Sequence, residues 1–164
     1  MIQKNNKKLI KAIITDVDGV LTDGTFWWDE GNLELKRFCF ADITGIPLAQ
    51  KCGIKIALMS GESSISGMSI VSRYAKKLRI EDVYKGCHDK AKAVNEFALK
   101  YKFNLSEICF VGDDINDLPA MKIVGLSVAP PDSHKTVLKE VDFVTQHKGG
   151  HGVIREVIDI LLEK

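Results

Sequence analysis

The amino-acid sequence predicts an α/β fold, a Rossmann-like three-layer sandwich with a parallel central sheet and a β-hairpin insert. Short apolar, β-branched runs alternate with segments of helical period along most of the chain. Strands separated by helices pair in parallel, with both faces of the sheet covered. Polar or acidic clusters follow three of these runs directly, at the strand ends where such sheets hold their ligands. One stretch breaks the alternation and places the hairpin.

The elements follow in order. Leu9–Thr15 (LIKAIIT) reads as a buried strand. Thr25–Phe40 (TFWWDEGNLELKRFCF) holds two β-prone stretches around the turn cluster Asp29-Glu30-Gly31-Asn32, and so reads as a hairpin. Ile43–Cys52 reads as a helix closed by Gly53. Lys55–Met59 is the next strand. Ser64–Leu78 is serine-rich early and basic late, as a helix dipole favours. Lys90–Tyr101 presents Ala93, Phe97 and Ala98 on one face. Ile108–Val111 is a strand, Asn116–Val124 a helix ending at Gly125, and Leu126–Val128 and Phe143–Thr145 two further strands. Gly152–Leu162 closes the chain as a helix with Val153, Val157 and Ile160 on one stripe.

The 164 residues suit one domain, 1–164, with no linker, repeat or insertion long enough for a second. At 45% hydrophobic and 27% charged the chain can bury a core. Its 23 basic and 22 acidic residues give a net charge of +1, which supplies no electrostatic case for nucleic acid or a membrane surface. The start, MIQKNNKKLIKAII, lacks an apolar signal core and reads as a frayed end; with no bilayer-length apolar run, the expected location is the cytoplasm. Cys39, Cys52, Cys87 and Cys109 show no CxxC spacing and read as reduced core or subsurface thiols. The four histidines are too scattered for a metal cluster.

Four elements bear on chemistry. Asp16-Val17-Asp18-Gly19 follows the first strand, and residues two apart in an extended chain point the same way, so two carboxylates face one place. Asp and Gly are also turn residues, and this motif alone does not decide between site and turn. Gly112-Asp113-Asp114-Ile115-Asn116-Asp117 follows another strand; three aspartates in five residues repel unless a cation sits among them, and oxygen donors suit magnesium. The plainer reading is an acidic helix cap. Ser60-Gly61 offers a hydroxyl and free amides at a helix start, an anion cradle or an ordinary cap. Lys90 opens a helix, where the dipole disfavours a cation, so an aspartate and a phosphoryl oxygen are its expected partners if it is not simply solvated.

Taken in this order, DxDG, Ser, Lys and GDDxND resemble the haloacid dehalogenase superfamily of phosphatases over essentially the whole chain. The resemblance implies Asp16 as nucleophile and Asp18 as general acid and base, with Ser60 and Lys90 binding phosphate. It implies Mg2+ held by Asp16, the Asp18 carbonyl oxygen and Asp113, supported by Asp114 and Asp117. Most members carry a cap domain; here only the hairpin stands in its place. That capless shape, with Asp23-Gly24, Ala41-Asp42-Ile43-Thr44-Gly45-Ile46 and Gly149-Gly150-His151-Gly152-Val153-Ile154-Arg155-Glu156, resembles the 3-deoxy-D-manno-octulosonate 8-phosphate phosphatase family and its nonulosonate 9-phosphate relatives.

The resemblance implies a 2-keto-3-deoxy sugar acid phosphate as substrate, with Gly61, Glu62, Lys77, Asp42 and Arg155 as candidate contacts. It also implies a homotetramer built around the hairpins, whose Phe26, Trp27, Trp28, Phe38 and Phe40 are too apolar for solvent, and a tail about 149–164 delivered to a neighbour's site through flexible Gly149–Gly152. One departure stands out: Ser60-Gly61-Glu62 places an acid where the octulosonate enzymes usually carry arginine. Glu62 paired with Lys77 resembles the nine-carbon (KDN or N-acylneuraminate) enzymes, so that substrate is the alternative. A non-catalytic, phosphatase-like assembly module is a second.

Overall fold

A computed structural model describes residues 10–31 and 33–163. The expected frayed start, Leu9 of the first strand and Asn32 of the hairpin turn lie outside the described residues. Eight strands and six helices follow one another: β1 (Ala12–Asp16), β2 (Trp27–Trp28), β3 (Glu34–Leu35), α1 (Phe40–Lys51), β4 (Lys55–Met59), α2 (Ile65–Leu78), β5 (Asp82–Tyr84), α3 (Lys90–Tyr101), β6 (Ile108–Val111), α4 (Leu118–Met121), β7 (Leu126–Ala129), α5 (Lys135–Glu140), β8 (Phe143–Val144) and α6 (Val153–Leu161). Six strands form one parallel sheet in the order β5-β4-β1-β6-β7-β8, and β2-β3 stands apart as an antiparallel hairpin. From β1 the chain builds outward through β4 and β5, then returns to β6 on the other side. The sheet therefore has its topological switch point beside β1, where ligands bind.

The two-residue period of the strands divides the core. Ile13, Leu58 and Val111 face α1, α2 and α6, while Ile14, Met59 and Phe110 face α3, α4 and α5. Continuous apolar runs follow, since a sheet covered on both faces has no solvent side.

Local signals act as expected at several ends. The Ser64 hydroxyl caps α2 by accepting from Gly67 N at 3.0 Å, and Asp89 caps α3 by accepting from Lys92 N at 2.9 Å. Gly53 follows α1 at φ +83, a conformation that a side chain resists. Four expectations change. Helix α1 starts at Phe40, so the hairpin is shorter than Thr25–Phe40, and among the described residues it pairs Trp27 with Leu35 and Trp28 with Glu34. The helix expected over Asn116–Val124 breaks into a 3-10 turn, Ile115–Asp117, and the single turn of α4, because the Asp117 side chain turns back to accept from Asp113 N and Asp114 N. Strand β5 and helix α5 carry too few apolar residues to announce themselves. Cys52 is exposed rather than subsurface; all four cysteines are free.

Candidate active site

Strand β1 ends on Asp16, whose carboxylate emerges at the carboxyl edge of the sheet. The register pairs Asp16 with Met59 and Thr15 with Val111. The residues that continue the two neighbours, Ser60-Gly61 and Gly112-Asp113, thus flank Asp16. A cavity of about 260 Å³ opens between them, lined by Asp16, Asp18, Lys90 and Asp113 and joined by Gly61, Glu62, Asp114 and Asn116. Asn116 was not foreseen; its signal was its place inside the acidic motif.

Lys90 is the ion that the acids surround. Its side chain is 1% exposed, with Nζ 3.0 Å from Asp16 Oδ1 and 2.5 Å from Asp117 Oδ1. Burial works against its ammonium, but Asp16 and Asp117 outweigh that and raise its pKa. These partners overcome the dipole of α3, which would otherwise disfavour a lysine at its start.

Three acids share this one buried cation. Burial is the main cause that pushes Asp16 up to about 7, opposed by Lys90. Burial, then Asp16 and Asp117, pushes Asp113 up to about 8. Oxygens of Asp16, Asp113 and Asp117 lie within 4.8 Å of one another. Both oxygens of Asp117 already accept, one from Lys90 and the other from Asp113 N and Asp114 N. Asp113 Oδ1 is buried without a hydrogen-bond partner. The arrangement fits a hard divalent cation: all donors are oxygens, negative charge is in excess, and one buried oxygen is unused. The turn is shaped for Asp113. Gly19 sits at φ +92, and a Cβ there would run into the Asp113 carboxylate.

Ser60 and Asp114 take supporting places. The Ser60 hydroxyl is buried and accepts from Glu62 N at 3.1 Å, while Gly61 faces open space. Asp114, exposed, caps the following turn through Ile115 N.

A second residue missed by sequence reasoning is Lys36. It leaves the hairpin with its side chain 2% exposed, and Nζ lies 2.9 Å from Asp18 Oδ1, 3.3 Å from Glu34 and 3.6 Å from Glu62. Burial opposes its charge; Asp18 and Glu34 prevail and raise its pKa. A signal existed. In Leu33-Glu34-Leu35-Lys36 the apolar and charged residues alternate, which puts Glu34 and Lys36 on one face.

Two expected contacts are corrected. Glu62 does not pair with Lys77: Glu62 closes the start of α2 by accepting from Ser64 N at 2.7 Å, whereas Lys77 is exposed in its last turn, about 18 Å further along. Asp42 does not face the cavity. It is fully buried, and its Oδ1 accepts from Arg155 N at 2.7 Å, tying α1 to the start of α6. Arg155, expected at a neighbour's site, pairs within its own chain with Asp159 through Nε at 2.8 Å and with the Thr44 hydroxyl through a guanidinium nitrogen at 3.4 Å. Its helix packs on α1 of the same chain. Gly149–Gly152 is no flexible arm: Gly150 N donates to Val20 O at 2.9 Å, and Gly149 packs so closely on the Gly19 carbonyl that no Cβ would fit.

Asp42 gives a test of that correction. Burial pushes it up to about 6 from 3.8, with the amides of Arg155 and Ile154 opposing. A raised folded pKa means that the charged form is disfavoured, so the cost is absent below 3.8 and full above about 6. Asp42→Asn keeps the acceptor oxygen and removes the charge. Its stability, followed by melting temperature, should gain on the parent's as pH rises from about 4 to 7, by about 2–3 kcal/mol. Turnover should stay within about twofold of the parent. A large loss of kcat/KM would restore Asp42 as a substrate contact.

Comparison with known proteins agrees with this geometry. A family model described as haloacid dehalogenase-like hydrolase matches residues 62–157. The 3-deoxy-D-manno-octulosonate 8-phosphate phosphatase KdsC of Escherichia coli (strain K12) is 37% identical over 153 residues, spanning 93% of this chain and 79% of that one. The crystal structure of the phosphatase of that name from Moraxella catarrhalis, in complex with magnesium ion, phosphate ion and KDO, superposes with a TM-score of 0.92 at 32% identity, covering 97% of this chain and 89% of that one. A cobalt-bound form from Haemophilus influenzae gives 0.89 at 33%, covering 96% and 90%. With the switch-point cavity, its acids and its buried lysine in place, the chain belongs to the haloacid dehalogenase-like hydrolases and, among them, to the 3-deoxy-D-manno-octulosonate 8-phosphate phosphatase family.

Proposed function

We infer that this protein is a Mg2+-dependent phosphomonoester hydrolase that acts on a 2-keto-3-deoxy sugar acid phosphate, of the 3-deoxy-D-manno-octulosonate 8-phosphate type, through an aspartyl-phosphate. The observation that carries it is the meeting of Asp16, Asp18, Lys90 and Asp113 on one cavity. Asp16 attacks phosphorus as the bond to the leaving oxygen breaks, and Asp18 gives that oxygen its proton. Water then attacks the aspartyl-phosphate; Asp18 takes a proton from it, and inorganic phosphate leaves with the Asp16 carboxylate restored. Lys90 offsets the repulsion between the carboxylate and the phosphate dianion, with the Ser60 and Gly61 segment against the phosphoryl oxygens. Asp16, Asp113 and the Asp18 carbonyl oxygen would hold magnesium, which when bound would supply further charge neutralisation. Asp114 and Asp117 support this set, Asp117 by fixing Lys90 and the Asp113 backbone.

Glu62 on the cavity wall favours a second reading, a nine-carbon nonulosonate 9-phosphate whose extra hydroxyls it would accept. Phosphate release from both sugar acids and from hexose phosphates, with and without chelator, tests all of this. We expect the eight-carbon substrate to give the highest kcat/KM, with activity lost on exhaustive chelation and restored by magnesium. No release from any ester would leave the assembly module standing. A nine-carbon preference that Glu62→Arg reverses would establish the second reading.

Phe26, Trp27, Trp28, Leu35 and Phe40 are exposed, with Trp28 at 69%. Phe38 instead turns inward and stacks on Tyr74 at 4.2 Å. A two-stranded hairpin with an apolar outer face is marginal alone, which supports a homotetramer built on the hairpins. Light scattering should give four subunits; a monomer at micromolar concentration would refute it. The location is the cytoplasm, in keeping with the absence, among the described residues, of a helix able to cross a membrane. The charge balance argues against nucleic acid and membrane partners.

A further inference from the structure

We propose that Lys36 is a positioning residue, through which the hairpin fixes the carboxylate of Asp18 for proton transfer. The reading of Asp18 as acid and base comes from the proposed function, and this inference rests on it. Asp18 stands on a loop with its side chain 38% exposed. Apart from Lys36, the Thr22 hydroxyl donates to its Oδ1 at 3.3 Å. An aspartate so loosely held samples several staggered rotamers. Lys36 Nζ reaches both of its oxygens, Oδ1 at 2.9 Å and Oδ2 at 3.0 Å.

The ammonium is itself fixed from two other sides. Glu34, two residues earlier on the same face of the hairpin, lies 3.3 Å away, and Glu62, just after β4, lies 3.6 Å away. The ammonium's hydrogen bond goes to Asp18, and Glu34 and Glu62 hold it by charge rather than by hydrogen bonds, Glu34 Oε1 keeping no hydrogen-bond partner of its own. The hairpin is thus tied to the loop of Asp18 by a nearly sealed cation, although among the described residues its own ladder has two residue pairs. Lys36 Nζ lies among the carboxylates of Asp18, Glu34 and Glu62, so it acts through Asp18 rather than on the phosphoryl group.

The two half-reactions separate this role from a structural one. Loss of the acid slows release of a poor leaving group, an alkoxide, far more than of a nitrophenolate. Loss of the base slows hydrolysis of the aspartyl-phosphate whatever the ester. Lys36→Met should therefore lower kcat for a sugar phosphate by about 10²-fold, the cost of a misplaced catalytic group. KM should stay within about threefold, since the phosphate site is intact. With p-nitrophenyl phosphate the same variant should release a burst of one nitrophenolate per site and then turn over slowly, as phosphoenzyme accumulates. Lys36→Arg, which keeps charge and donors, should recover much of kcat. It also serves as the test if the methionine variant melts before assay, since an inactive but folded Lys36→Arg would count against the proposal. A Lys36→Met enzyme with unchanged kcat, or one equally slow on both esters with no burst, would overturn it. If Asp18→Asn were itself unimpaired, the proposed mechanism would fall first; if Asp18→Asn is impaired and Lys36→Met is not, only the positioning role falls.

Discussion

Asp16→Asn should abolish turnover while leaving the protein folded, with kcat down on the order of 10⁴-fold or more. The amide has almost the shape of the carboxylate, so the register of β1 with β4 and β6 is undisturbed. It lacks the charge and lone-pair basicity needed to attack phosphorus. Stability should hold or rise. Burial already pushes Asp16 up to about 7, and a neutral side chain removes one of three crowded negative charges while Lys90 keeps its 2.5 Å contact with Asp117. No phosphoenzyme should be trapped by acid quench. Asp18→Asn should differ in kind: nearly as slow, but with a covalent phosphoenzyme that persists. Phosphate release at a near-parental rate from a folded Asp16→Asn enzyme would end the aspartyl-phosphate mechanism.

Lys90→Met should cost both stability and activity, for separable reasons. The lysine is 1% exposed between Asp16 and Asp117. Removing one member of a buried ion cluster strands the others, at a cost of about 3–5 kcal/mol. For a chain of this size that is a fall in melting temperature of roughly 6–20 °C. Activity should fall by about 10²–10³-fold, the usual loss of one preorganised donor to a developing oxyanion. The double variant Lys90→Met/Asp117→Asn separates the two effects. It relieves an unpaired buried charge, so part of the lost stability should return, as for contacting residues generally. The activity should not return. If stability and kcat recovered together, Lys90 would be a structural counter-ion to Asp117 and nothing more.

The sequence by itself determined the layered α/β plan and which acids, with Lys90, meet at one cavity. Both are local properties. A strand covered on two faces must be apolar along its whole length, as in Ile108–Val111, and the acids that follow such strands land on one edge of a parallel sheet whatever the loops do. What the sequence left open was the pairing of charges across long separations. Glu62 was expected to meet Lys77 because the pair resembles that of the nine-carbon enzymes, but 1.5 Å of rise per residue carries Lys77 away along α2, and Lys36 arrives from the hairpin instead. Asp42 and Arg155 belong to motifs that resemble a binding site, yet one is buried beneath the other's backbone amide to join α1 and α6. The Asn116–Val124 helix failed for the same reason, since the side chain of Asp117 does more as a backbone acceptor and an anchor for Lys90 than as one more helical residue. Residue type sets what a charged group can bind. Only packing decides which opposite charge is near enough, because an ion pair is strong where water is excluded and weak where it is not.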